Sequence, residues 1–135
     1  MAKAVGRNLS ISPKYAIEIC SYLRGKNLEK SKQFLQNVIQ MKAAVPLRKY
    51  NHGAGHRHKL GPGKYPINAS SEILKLLDSV TSNAQSKGLA TGKLEIVHMN
   101  AHRGTRVYHR GRQIRRTMKQ ANVEVVVAEV KELKK

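Results

Sequence analysis

Residues 98–122, HMNAHRGTRVYHRGRQIRRTMKQAN, constrain this chain more than any other stretch. They are flanked by KLEIV (93–97) and VEVVVAEV (123–130), runs rich in β-branched residues that read as strands. Two strands joined by a long polar excursion make a hairpin. The excursion has only Val107, Tyr108, Ile114 and two methionines as large apolar side chains, too few to pack a core, so it is expected to project as a ribbon. It carries six Arg, one Lys and three His, and no acid. In an extended ribbon the side chains alternate faces, which puts Arg106, Arg110, Arg112 and Arg116 on one side and Arg103, Arg115 and Lys119 on the other. A strand lying on an anionic surface needs one basic face; two suit a finger enclosed by polyanion. The planar fork of Arg binds phosphate bidentately and stacks on bases, which favours structured RNA. A solvated basic loop is the ordinary reading of a charge run. It is disfavoured here because seven uncompensated cations would repel one another.

The rest of the composition agrees. Against 26 Lys and Arg stand 8 acids, for a net charge of +18 over 135 residues, a length that fits one domain with one modest core. Nucleic acid is the first candidate partner. No apolar run approaches the roughly 20 residues of a membrane span, and the opening carries no signal-peptide pattern, so no membrane partner and an intracellular location are expected. Cys20 lies among the apolar residues of a helix and reads as a small buried hydrophobe.

Taken in order, RNLSI (7–11) suggests a short edge strand. Ser12 and Pro13 open a first helix that runs to about Arg24, buries Ala16, Ile19, Cys20 and Leu23, and stops at Gly25. Asn27 caps a second, over about 28–43, with Leu28, Leu35, Val38 and Ile39 inward. From Leu47 to Ala69 periodicity vanishes in a Gly-, Pro- and His-rich loop. No acid occurs between Glu29 and Glu72, so the loop is a second basic patch, and Tyr50 and Tyr65 lie in it where their rings can stack on bases. A third helix is expected over about 70–87, capped by Ser70, with Ile73, Leu74, Leu77, Val80 and Ala84 on its apolar face. The final residues, KELKK, read as a solvated tail.

Other chemistry is weakly supported. His52, His56 and His58 with Cys20 lack the tight ligand pairs usual for structural zinc, so no metal is expected. A histidine pair such as His102 and His109 could cleave RNA by general acid and base action, although no further feature supports it. The carboxylates are scattered singly and there is no nucleophile or phosphate-loop motif, so no catalysis, cofactor or small-molecule substrate is expected.

Several segments in order and spacing, VPLRKYN (45–51), GAGHRHK (53–59), GKYPINAS (63–70), LLDSVTSNAQSKGL (76–89), and RGRQIRRT (110–117) leading into VEVVVAE (123–129), resemble the universal large-subunit ribosomal protein twenty-two family in its archaeal and eukaryotic form. The resemblance runs almost end to end and implies an α+β fold, three helices packed on a small antiparallel three-stranded sheet with a long protruding basic β-hairpin. It implies a structural constituent of the cytoplasmic large ribosomal subunit, contacting large-subunit rRNA and neighbouring large-subunit proteins. The hairpin would line the exit tunnel, with Arg106, Tyr108, His109, Arg110 and Gly111 at a tip passed by the nascent polypeptide. One domain is expected, with a body of 1–97 and 123–135 and a hairpin of 98–122. RNA contacts are assigned to Arg48, Lys49, Tyr50, His56, Arg57, His58, Lys59, Lys64 and Tyr65 in the loop. In the ribbon they are assigned to Arg103, Arg106, Tyr108, Arg110, Arg112, Arg115, Arg116 and Lys119. The alternative is an architectural DNA-binding protein that uses a basic β-ribbon.

Overall fold

From the N-terminus, the computed structural model runs β1 (Ala2–Leu9), α1 (Pro13–Leu23), α2 (Leu28–Ile39), β2 (Val45–Pro46), β3 (His56–Arg57), β4 (Gly61–Lys64), α3 (Ile67–Ser86), β5 (Leu94–Arg103) and β6 (Ala121–Glu129). The structure describes residues 1–129; the expectations for Val130 and for the KELKK tail lie outside them. The main sheet has the order β1-β6-β5, antiparallel throughout. Its central strand shows why the fold holds. Val123, Val125 and Val127 are buried, while Glu124 and Val126 between them are only half-buried, the period of a strand with one face on a core. Ile96, Met99 and Ala101 of β5 and Ala2 of β1 extend that buried face. The helices cover it, α3 across β1 and β6, α1 against β5, and α2 against α3. Ile19, Leu23, Leu35, Ile73, Leu77 and Val80 are fully buried in the resulting core. The α+β architecture expected from the sequence is the one observed.

Asn27 caps α2 as expected, its side-chain oxygen accepting from the amides of Glu29 and Lys30. Cys20 is buried among the core residues, and burial pushes its thiol up to about 12. Gly25 ends the α1 segment in a left-handed conformation and pairs with β5 through its amide to the Ile96 carbonyl.

Several boundaries differ from expectation. The edge strand begins at Ala2, well before residue 7, because the ladder with β6 runs from Ala2 opposite Val127, and small residues such as Ala4 and Gly6 carried no apolar signal of their own. Ser12 precedes α1 without a side-chain cap. α2 ends at Ile39, earlier than 43, where Met41 turns into a left-handed conformation, and Ile39 is only half-buried. α3 starts at Ile67, so Ser70 lies inside its first turn as a buried hydroxyl and is not the cap. The loop also has structure of its own, a second sheet of order β2-β4-β3 made almost wholly by backbone pairing. Finally, the hairpin ladder stays regular past 98 to Arg103 opposite Ala121, because Met99, Ala101 and Ala121 are core residues.

Candidate nucleic-acid interface

Beyond Arg103 and Ala121 the hairpin changes character. From His102 to Lys119 no residue is buried, and Val107, Tyr108, Ile114 and Met118 are all exposed. The two arms remain joined by sparse bonds, Gly104 N–H to the Gln120 carbonyl (2.9 Å), Met118 N–H to Val107 (2.7 Å) and His109 N–H to Arg116 (2.9 Å), with one bridge between Tyr108 and Thr117. Gly111, in a left-handed conformation that costs a side-chain-free residue little, opens the 3-10 turn Gly111–Gln113 at the tip. Strict alternation therefore does not run the length of the finger, but the six arginines and Lys119 are all exposed.

A polar clasp sets the root of this finger. In β1 a register shift after Gly6 brings Asn8 to φ 52°, and its amide donates to Asn122 Oδ1 at 2.7 Å. Asn8 Oδ1 in turn accepts from the Thr105 amide at 3.1 Å. Packing here is tight: a Cβ on Gly104 would lie 2.8 Å from Asn8 Oδ1 and 3.1 Å from the backbone carbonyl carbon of Gln120. On the other side Arg24 donates through Nη2 to the Met99 carbonyl at 2.8 Å, tying α1 to β5. The outward face of the root carries an acid, Glu124, whose carboxylate lies 2.9 Å from His98 Nε2. That hydrogen bond, more than the nearby charges of His98 and His102, holds the Glu124 carboxyl below the usual carboxylate range.

The central loop is held by a residue that the sequence reading passed over. Glu18 in α1 is buried, and its Oε1 accepts from the amides of Lys49 and Tyr50, both at 2.7 Å, while Oε2 accepts from the Arg48 amide at 3.1 Å. A carboxylate taken out of water needs such donors, and here they fix the backbone of three assigned RNA-binding residues at once. The available signal was that Glu18 is the only acid before Glu29 in a strongly basic chain. Arg48 and Lys49 are exposed and Tyr50 is half-buried. Past them the β3–β4 turn exposes His56, Arg57, His58 and Lys59, with the Arg57 guanidinium 5.0 Å from the centre of the Tyr65 ring. Lys64 and Tyr65 are half-buried at its base.

Loop and finger are separate basic patches in the sequence; the structure joins part of them. Lys14, Arg103, Arg106 and Lys119 line a cleft of about 310 Å³ between the start of α1 and the finger root. Tyr50, His52 and Lys64 line a second, of about 250 Å³, which also contains Lys14 and Lys119. Lys14 and His52 were not among the assigned contacts. Arg110, Arg112, Arg115 and Arg116 line neither cleft; the last three flank a separate concavity near the tip. Among the described residues no three His, Cys, Asp or Glu side chains converge as a metal site, and no helix is long and apolar enough to cross a membrane.

Residues 4–128 match the family described as ribosomal protein L22p/L17e. The chain is similar to the large ribosomal subunit protein uL22 of Sulfolobus acidocaldarius, with 38% identity covering 96% of this chain and 90% of the relative. It is 38% identical to that of Methanocella arvoryzae at the same coverage, and 42% identical to that of Methanosphaera stadtmanae over 77% of this chain and 70% of the relative. With the match spanning nearly every described element, the chain belongs to the ribosomal protein L22p/L17e family.

Proposed function

We propose that the protein is a structural, non-enzymatic constituent of the cytoplasmic large ribosomal subunit that binds large-subunit rRNA and carries its finger through that RNA to line the nascent-peptide exit tunnel. One observation supports this most strongly: a finger without a single buried residue from His102 to Lys119 bears seven exposed cations and no acid, on a root held by specific polar contacts. Such a segment gains little from its own chain. It is suited to a surrounding polyanion that neutralises it on all sides. Acids lie on other elements, Glu29 at the start of α2 and Glu72 and Asp78 on α3, where Asp78 pairs with Lys32 at 2.7 Å; these helices are the surfaces left for neighbouring ribosomal proteins. The tip residues Tyr108, His109, Arg110 and Gly111 would then face the nascent polypeptide, whereas Arg106, expected with them, lines the cleft at the finger root.

A tagged copy expressed in cells should co-sediment with large subunits through a sucrose gradient and remain with them after a wash at moderate salt. Recovery at the top of the gradient would overturn the assignment. A photo-crosslinking residue in place of His109 should label the nascent chain in stalled ribosomes, and labelling of RNA alone would remove the tunnel-lining role.

A further inference from the structure

We propose that the cleft shared by α1, the loop and the finger root seats one unpaired RNA nucleotide, its base stacked on Tyr50 and its phosphates held by Lys14, Lys64 and Lys119, with Glu18 as the positioning residue for the ring. This rests on the RNA-binding reading above and specifies what one part of the surface recognises.

Four observations converge on it. First, the cleft of about 250 Å³ is walled by three separate segments, Lys14 and Tyr15 from α1, Tyr50, His52 and Lys64 from the loop, and Lys119 from the finger, and no acid lines it. Cations brought from three places in the chain to one concavity repel each other unless an anion sits among them. Second, Tyr50 is half-buried yet is not among the residues that form or pack against the core. Its ring is therefore held at the surface without serving the fold, which suits a stacking platform. Third, the Tyr50 main chain is fixed by the 2.7 Å bond to Glu18, a residue whose carboxylate is given over to the three amides of 48–50. A backbone that is already placed leaves only the ring's own torsions to be ordered on binding, which lowers the cost of seating a ligand there. Fourth, the ammonium groups of Lys14 and Lys49 lie over the Tyr50 ring, 5.6 and 5.8 Å from its centre, so the ring face already attracts a ligand's positive edge, and a base that takes their place there leaves Lys14 beside its phosphate. A base inside a duplex has both faces covered by its neighbours and cannot use such a ring. An unpaired or bulged base can.

The test uses the full-length protein and two fluorescein-labelled RNA hairpins that differ only in one bulged nucleotide. The wild-type protein should bind the bulged RNA more tightly. Tyr50→Leu should weaken binding to the bulged RNA by at least about fivefold, the lower end of what base stacking on a ring contributes, and weaken binding to the bulge-free RNA distinctly less, whereas Tyr50→Phe should retain wild-type affinity for both. Glu18→Gln should lower affinity for the bulged RNA more than for the bulge-free RNA, with an unaltered circular dichroism spectrum; if that variant fails to fold, the Tyr50 pair still decides. Equal wild-type binding to both RNAs with a silent Tyr50→Leu would overturn the nucleotide pocket and leave RNA binding intact. Loss in Tyr50→Phe equal to that in Tyr50→Leu would overturn stacking as its basis. Failure of the wild-type protein to bind either RNA would overturn the RNA-binding reading itself.

Discussion

The same two strands behave as two different materials on either side of the Arg103–Ala121 pair. Below it, β5 and β6 bury Ile96, Met99, Ala101, Val123, Val125 and Val127 against three helices and form a ladder with a single register shift between Ile96 and His98. Above it the chain continues as a hairpin, yet from His102 to Lys119 it buries nothing, and a handful of backbone bonds join its arms. Ordering a residue costs about 1–2 kcal/mol of backbone entropy, which burial of apolar groups offsets below the pair and cannot offset above it. The lower half is thus ordered by its own sequence. The upper half is aimed by the Asn8–Asn122–Thr105 clasp and depends on its surroundings for the rest.

This contrast is sharpened most by substitutions of opposite effect. Leu77→Ala, at a fully buried α3 position, should destabilise the body by about 2–5 kcal/mol, the usual cost of a large-to-small core change, as read by thermal or denaturant unfolding. The triple change Arg112→Ala, Arg115→Ala and Arg116→Ala should leave that unfolding transition almost unmoved and instead reduce RNA affinity, lowering the slope of log affinity against log salt by roughly two to three, given about 0.7–0.9 per phosphate contact. If the triple variant melted early, the finger would be packing on the body after all.

Gly104 lies between the two regimes. Gly104→Ala forces a Cβ against Asn8 and the backbone of Gln120, so a loss of about 1 kcal/mol is expected, the low end for overpacking, together with weaker amide protection at Thr105. An unchanged melting temperature would mean the clasp yields freely.

The smallest effect is at Glu124 on the outer face of the root. Its folded-state carboxyl is depressed, so its contribution to stability is present at neutral pH and is lost as pH falls through the depressed folded value. The group is well exposed, so the loss should be slight, but the titration itself is measurable. Replacing His98 with Ala removes the leading cause and should move the Glu124 carboxyl titration upward towards the ordinary carboxylate range by NMR; no movement would assign the depression to another group.

What could be read from the sequence was whatever depends on neighbours in the chain. The Asn27 cap, the Gly25 stop, the apolar stripe of α3 and the alternating valines of β6 are local patterns, and each appears where its pattern lies. The second sheet was invisible because it is paired through backbone in a Gly- and Pro-rich stretch with no side-chain period to report it. Ser70 looked like a cap because residue type alone does not say where a helix starts, and Pro66 precedes the true first turn. The long-range polar contacts were equally hidden. Asn8 and Asn122 are 114 residues apart, and Glu18 reaches Tyr50 across 32. For the interface, the basic residue types were evident from the sequence. Their grouping was not, because the cleft that unites Lys14, Tyr50 and Lys119 exists only once α1, the loop and the finger root are brought together.

If order in the finger comes from its partner, limited trypsin digestion will show it. In the free protein the first cuts should fall after Arg106, Arg110, Arg112, Arg115, Arg116 or Lys119 and leave a resistant body, and the same bonds should be protected in intact large subunits. Slow cleavage there in the free protein, or ready cleavage in the subunit, would contradict the account.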